Sequence, residues 1–356
     1  MKEKTGRILT AVLVAAILCC LLSGCGSGMQ TRQQVRYDLF DTVCTVTSYC
    51  RESEKTFEEN CEAVFAILEK YHRLFDIYHE YEGLTNLCTV NRLAGGEPVS
   101  VDTAVIELLE TGREMYRETD GTVNIMMGSV LSLWHDAREI AETDPEKAAP
   151  PEDEMLKQAS RHMAMTLLEI DVEKQTVRIT DPEASLDVGA IAKGYATEQV
   201  AQWLEERGIS GYVLNVGGNI RVIGTKPDGK GWITGIREPD LSSSKAFALT
   251  VELKDISCVT SGDYERYFTV KDTSYHHLID PLTLYPARFF TSVTVLTKDS
   301  ARADALSTAF FCMPLEEGRK LAEEMPGVDV IWITHEGEII CTEGAEAVTV
   351  KEDPAE

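Results

Sequence analysis

Between residues 54 and 75 apolar side chains return every third or fourth position, with Phe57, Cys61, Val64, Phe65, Leu68, Tyr71 and Phe75 on one stripe. That period predicts one long amphipathic helix. The same spacing predicts a second helix over 103–118 and a shorter third over 154–165. Residues 37–49 (YDLFDTVCTVTSY) are β-branched and loosely alternating, which predicts a strand. Residues 141–151 (AETDPEKAAPP) are acidic and proline-bearing and read as a surface loop. Beyond 165 the pattern shortens. Strands are expected at 167–172, 176–180, 211–215, 220–224, 232–237, 246–253, 257–261 and 292–296. Helices are expected at 191–207, ended by Gly208, and at 300–311. Residues 329–334 and 338–341 suit a hairpin around His335-Glu336-Gly337. Strands joined by short turns outnumber helices here, so the expected class is α+β, with largely antiparallel sheets packed with helices.

The first 24 residues do not fit this scheme. Lys2, Lys4 and Arg7 precede an uncharged apolar run from Ile8 to Leu22, 15 residues long. That is short for a bilayer span and suits a secretory signal. The run ends in Leu22-Ser23-Gly24-Cys25, which resembles the lipobox of bacterial lipoproteins. By that reading Cys25 is lipidated, residues 25–35 form a polar linker, and 36–356 form the folded domain on the extracytoplasmic face of a bacterial cell membrane. The net charge of -25 argues against a nucleic-acid partner, because phosphate backbones need a basic surface. Of the ten cysteines, Cys19 and Cys20 lie in the signal and Cys25 at its exit. Cys44, Cys258, Cys312 and Cys341 sit in apolar runs and read as buried thiols. A disulfide among Cys44, Cys50, Cys61 and Cys88 is left open.

Four constellations bear on chemistry. In Asp187-Val-Gly-Ala-Ile-Ala-Lys-Gly-Tyr195 a carboxylate ends a strand and small residues lead into a helix, an arrangement that lets backbone N–H groups approach a phosphate. Lys193 adds positive charge there, although glycine-bearing strand–helix turns are often only structural. Asn215-Val-Gly-Gly-Asn219 reads equally as a ligand-approach loop or a plain turn. Tyr275-His-His-Leu-Ile-Asp-Pro281 follows Thr260-Ser-Gly-Asp-Tyr-Glu-Arg266; adjacent histidines on a strand face opposite ways, so at most one enters a site. In Arg302-Ala-Asp-Ala-Leu-Ser-Thr308, Asp304 and Thr308 share a helix face. They offer hard oxygen ligands to a cation such as Mg²⁺, or Asp304 simply stabilises the helix start.

Together these segments resemble the ApbE family of flavin transferases (FAD:protein FMN transferases) in the same order. The matching stretches are FDTVCTV, LFDIYHEYEGLTNLCTVN, TDGTVN, SLDVGAIAKGYA, LNVGGNI, TSGDYERYF, YHHLIDPLTLYPA and ADALSTAFF, covering nearly all of residues 37–340. The resemblance implies an ApbE-like fold and an Mg²⁺-dependent transfer of FMN from FAD. The acceptor is a threonine or serine hydroxyl of another protein, joined through a phosphoester, and AMP is released. It implies Mg²⁺ against Asp304, Thr308 and the carbonyl of Ala190. It implies FAD against Phe40, Tyr78, Thr122, Val123, Asn124, Asp187, Lys193 and Leu278, with His277 near the transferred phosphate. The implied partner is a flavin-carrying protein of an electron-transfer chain. Two departures stand out. The family often has Ala-Phe-Asp at residues 122–124, and its P-x-T-G-x-P turn here reads Pro281-Leu-Thr-Leu-Tyr-Pro286, with Leu284 for glycine. The alternatives are an FAD-binding lipoprotein and an FAD pyrophosphatase without a protein acceptor.

Overall fold

The computed structural model describes residues 31–49, 52–240 and 243–350; the signal, Cys25 and Cys50 lie outside them. The first strand, β1 (Arg32–Leu39), begins inside the stretch read as linker and pairs with β2 (Thr42–Ser48). The expected single strand over 37–49 is thus a hairpin. Phe40 and Asp41 break it, both left-handed at φ 53° and 50°, which is the turn geometry that matches strand twist. Helix α1 (Glu54–Phe75) follows as expected. The Ser53 hydroxyl accepts from the Thr56 N–H, and Phe57, Cys61, Val64, Phe65 and Leu68 are buried along one face. Each of the larger apolar side chains contributes about 1.5–3 kcal/mol by leaving water.

After α2 (Leu87–Arg92), β3 (Val99–Ser100) and α3 (Thr103–Glu118) comes α4 (Gly128–Thr143), a helix the apolar pattern did not predict. It starts with no side-chain cap. The helix expected over 154–165 is only α5 (Asp153–Ala159), followed by single 3₁₀ turns. The Ser129 hydroxyl takes the Ala159 carbonyl at 3.0 Å, where the α-helix stops.

The remaining elements are β4 (Leu168–Asp171), β5 (Thr176–Ile179), α6 (Ala192–Glu206), β6 (Tyr212–Val216), β7 (Asn219–Ile223), β8 (Trp232–Arg237), β9 (Phe247–Leu253) and β10 (Ser257–Gly262). Then follow β11 (Tyr267–Val270), β12 (Thr273–His276), β13 (Ser292–Thr297), α7 (Ser300–Phe311), α8 (Leu315–Glu323), β14 (Asp329–Ile333), β15 (Ile339–Cys341) and α9 (Glu343–Val348). An eight-stranded sheet runs β1-β2-β6-β7-β10-β13-β14-β15, and every pairing in it is antiparallel. This is the α+β class expected.

One face of the sheet packs on helices. Leu39, Val46 and Leu214 meet α1 and α6, while Val259, Val293 and Val295 meet α7. The other face, with Val222, Cys258, Leu296 and Ile331, is covered by the β8–β9 hairpin and α9. Every residue of β13 is buried, as a central strand sandwiched on both faces must be. Cys44, Cys61, Cys258 and Cys312 are buried free thiols, and Cys88 and Cys341 are partly buried free thiols. No pair among Cys44, Cys61 and Cys88 is bridged. Among the described residues no helix is long and apolar enough to cross a membrane.

Candidate active site

The helix-side face of the sheet carries α6 and α7, which cross at their N-terminal ends, and the crossing depends on Gly194. A Cβ there would lie 2.3 Å from the Ser300 carbonyl oxygen and 2.5 Å from Asp304 Cβ. The missing side chain lets each helix cap the other. The Gly194 N–H, in the first turn of α6, donates to Asp304 Oδ2 of α7 at 2.8 Å. The Ser300 N–H, at the start of α7, donates to Glu198 Oε2 of α6 at 2.9 Å. Each carboxylate satisfies an orphan N–H and lies at the positive end of the other helix. Asp304 is 4 % exposed. Lys193 Nζ reaches its two oxygens at 3.2 and 3.3 Å, and the Gly189 carbonyl at 3.4 Å. The Thr308 hydroxyl lies one turn further along α7 and leans on the Asp304 carbonyl at 3.5 Å.

The turn into α6 positions Asp187. Its Oδ1 accepts from the Gly189 N–H at 2.8 Å, and its own N–H donates to the Ile125 carbonyl at 2.9 Å, tying the turn to the segment after Asn124. Burial pushes this carboxyl above the ordinary range; the Gly189 N–H and the fields of His135 and Arg266 oppose the rise.

Tyr78 presents 52 % of its surface to solvent and stacks on His135 at 4.8 Å and 26°. Desolvation of its hydroxyl, then the charge of Asp187, push the phenol up to about 12. The loop beneath it wraps the Asp76 carboxylate, which accepts from the N–H groups of Tyr78 and His79 and from the Tyr81 hydroxyl. Phe40 sits at the β1–β2 turn, its N–H donating to His72 Nδ1 at 3.2 Å.

The two adjacent histidines have opposite surroundings. His276 is 3 % exposed, donates from Nε2 to the Ala287 carbonyl at 2.8 Å, and accepts from the Leu278 N–H at Nδ1. His277 lies partly open. Its Nδ1 meets the Arg266 carbonyl at 3.3 Å; a carbonyl only accepts, so Nδ1 carries the proton and Nε2 keeps its lone pair. Burial, and then the positive charge of Arg266, hold this ring down at about 3, with His276 and Lys193 adding to the effect. It is therefore neutral at physiological pH.

The structure thus groups Asp187, Ala190, Lys193, Asp304 and Thr308 around the turn into α6 and the start of α7, with Tyr78 in the field of Asp187 and His277 in that of Lys193, while Phe40 packs on His72 at the β1–β2 turn. Three sequence-derived residues lend no free side chain to this group. Val123 and Leu278 are 2 % and 5 % exposed, in the main core. The Asn124 amide is committed to the Met163 carbonyl and the Met126 N–H. The Asn215–Asn219 motif is a hairpin turn: Gly217 and Gly218 adopt φ 57° and 92°, and Gly217 packs against Thr42. Sequence reasoning missed His135 and Arg138, and it carried Arg266 only as the last residue of the 260–266 stretch, with no role. Arg138 donates to His135 Nδ1 at 3.1 Å, and both belong to the unpredicted α4. Only a helical reading of SLWHDAREI would have revealed them. A concavity of about 480 Å³ between β9 and α9 contains none of these residues.

An oxygen-rich cation position fits this geometry. Among the described residues no three His, Cys, Asp or Glu side chains cluster as a metal site. Asp304 and the Gly189 carbonyl nevertheless converge on one ammonium, a cation already seated among hard oxygen donors, with Thr308 and Ala190 beside them.

The ApbE family model matches residues 40–332. The chain belongs to the ApbE family. An FAD:protein FMN transferase of Treponema pallidum is 31% identical, with 89% of this chain and 90% of that protein covered. One of Haemophilus influenzae is 29% identical over 91% of each. The crystal structure of the ApbE protein of Thermotoga maritima, 27% identical, superposes with a TM-score of 0.78 over 90% of this chain and all of that one. The ApbE match spans both the Phe40 turn and the Asp304–Thr308 helix, so the whole group lies inside the family's shared region.

Proposed function

We propose that this chain is an FAD:protein FMN transferase acting on a threonine or serine hydroxyl of an acceptor protein. The observation that carries the reading is the meeting of Lys193, Asp304 and Thr308 at the α6–α7 crossing, within a family whose curated relatives bear that name. The acceptor oxygen bonds to the FMN phosphorus, the bond from that phosphorus to the AMP phosphate oxygen breaks, the hydroxyl proton passes to a base, and AMP leaves.

Tyr78 offers its exposed ring face to an aromatic ring system, with His135 stacked behind it. Lys193 and Arg266 supply positive charge for the diphosphate. His277 Nε2 is the proton acceptor. Its basicity is low in the free protein because of burial and neighbouring cations, and an anionic diphosphate between those cations raises it toward the useful range. Asp304, Thr308 and the Ala190 carbonyl would hold Mg²⁺, which when bound neutralises diphosphate charge during displacement. The signal and Cys25 support a lipid-anchored protein on the extracytoplasmic membrane face, serving a flavin-carrying subunit of an electron-transfer chain.

The test is incubation with FAD, Mg²⁺ and membrane proteins of the source organism. Covalent flavin fluorescence is read on a denaturing gel and AMP is measured in the same tube. Asp304→Ala is expected to lower both by at least about 10²-fold. AMP with free FMN and no labelled band, in the presence of an intact acceptor, would replace transfer by hydrolysis.

A further inference from the structure

Lys193 stands where a divalent cation would. Its ammonium touches Asp304 Oδ1, Asp304 Oδ2 and the Gly189 carbonyl within 3.2–3.4 Å. Asp304 is nearly buried, and among the described residues the other donor to its carboxylate is the Gly194 backbone N–H. An ammonium and a hydrated divalent ion compete for the same carboxylate, because both need its lone pairs. Resting on the reading that Asp304 belongs to the divalent-cation site, we propose that Lys193 is a tethered occupant of that site. It fills the position in the free protein and leaves it when the diphosphate of the dinucleotide arrives, so substrate binds before the divalent ion.

Three features support an occupant that can leave. The contacts are long for charge-assisted bonds, which usually close to about 2.7–2.9 Å. The Lys193 side chain is 23% exposed, against 5% for Asp304, so the head has a route outward. Lysine also has a flexible stem and a compact charge, where arginine would hold a carboxylate in a fixed fork. Linkage then fixes the sign. A ligand that draws the ammonium away raises cation affinity, and the cation raises the affinity for that ligand by the same factor.

The experiment measures Mn²⁺ binding to the full chain by electron paramagnetic resonance, without nucleotide, with folding checked by circular dichroism. Wild type, Lys193→Met, Lys193→Gln and the double variant Lys193→Met/Asp304→Asn are compared. Removal of the ammonium by either route is expected to tighten Mn²⁺ binding about tenfold, and the double variant is expected to lose the gain. Unchanged or weaker binding in both folded single variants overturns the proposal, as does a gain that survives in the double variant. Failure of the enzymatic reading looks different: wild type makes no AMP from FAD, while the Asp304-dependent gain in Mn²⁺ affinity persists.

Discussion

The two ends of the α6–α7 crossing use the same device and treat their cations differently. At one end Asp304 caps α6 and is met by Lys193; at the other Glu198 caps α7 and is met by Arg221. Arg221 is fully buried. Its guanidinium reaches Glu198 at 3.5 Å, Glu205 at 2.7 Å and Asp255 at 3.4 Å, and donates to the Val222 carbonyl. Lys298 ties Glu205 and Asp255 together from outside. Lys193 has one carboxylate and one long carbonyl contact. The lesson is that one motif, a carboxylate across a helix pair, becomes structure when its cation is enclosed and chemistry when its cation can go.

The comparison breaks most directly at the enclosed end. Arg221→Met leaves Glu198 buried without its counter-charge and is expected to cost about 3–5 kcal/mol in urea unfolding. Lys193→Met at the open end should cost less, about 1–3 kcal/mol, because the buried Asp304 carboxylate keeps the Gly194 N–H and the lysine side of the pair is open to water. Equal losses would mean that both ends are structural. Next in size is Gly194→Ala, where the new methyl meets backbone of α7 and cannot be relieved by a side-chain rotation. A loss of about 1–3 kcal/mol in thermal unfolding is expected, together with a larger fall in activity than Lys193→Met, because the crossing that aims Asp304 is forced apart.

A pH-dependent effect of similar size concerns the buried His276. Burial holds His276 down at about 4, against an ordinary 6.5. Between those values the unfolded chain takes up a proton that the folded chain refuses, so stability is fully present above pH 6.5 and declines toward pH 4. Asp187, Glu198 and Asp263 are pushed up by burial and titrate in the opposite sense. The informative quantity is therefore the difference between proteins. His276→Gln is expected to lose about 2 kcal/mol less than wild type between pH 7 and 4.5 by chemical denaturation. Matching curves would show that the ring is not the acid-sensitive group.

Most of this architecture was legible in the order of apolar and polar residues. Helix α1, the strands after residue 165 other than the β11–β12 hairpin, and the helices bearing Lys193 and Asp304 follow directly from periodicity. What escaped has physical causes. The hairpin at Phe40-Asp41 turns on two residues whose left-handed backbone no composition rule demands. Helix α4 begins at a glycine without a capping side chain, so His135 and Arg138 had no helix to be read on. The reciprocal caps join residues about a hundred positions apart, and Glu198 and Arg221 were invisible as a pair. The adjacent histidines could be sorted only as one in and one out; which was which depended on the Ala287 and Arg266 carbonyls.

The turn at Leu284 bears on how the site keeps its width. Leu284 holds φ 65° without glycine, and its carbonyl accepts from the Trp134 indole N–H at 2.9 Å. An L-residue in that region costs about 1–2 kcal/mol, so tertiary contacts must hold the turn in place. Trp134 is the neighbour of His135, on which Tyr78 rests, and Leu284 ends the segment that opens with His277. A single indole therefore pins the aromatic support to the histidine strand. Under the proposed function, this joint, well away from both groups, holds the ring face of Tyr78 and the imidazole of His277 in register.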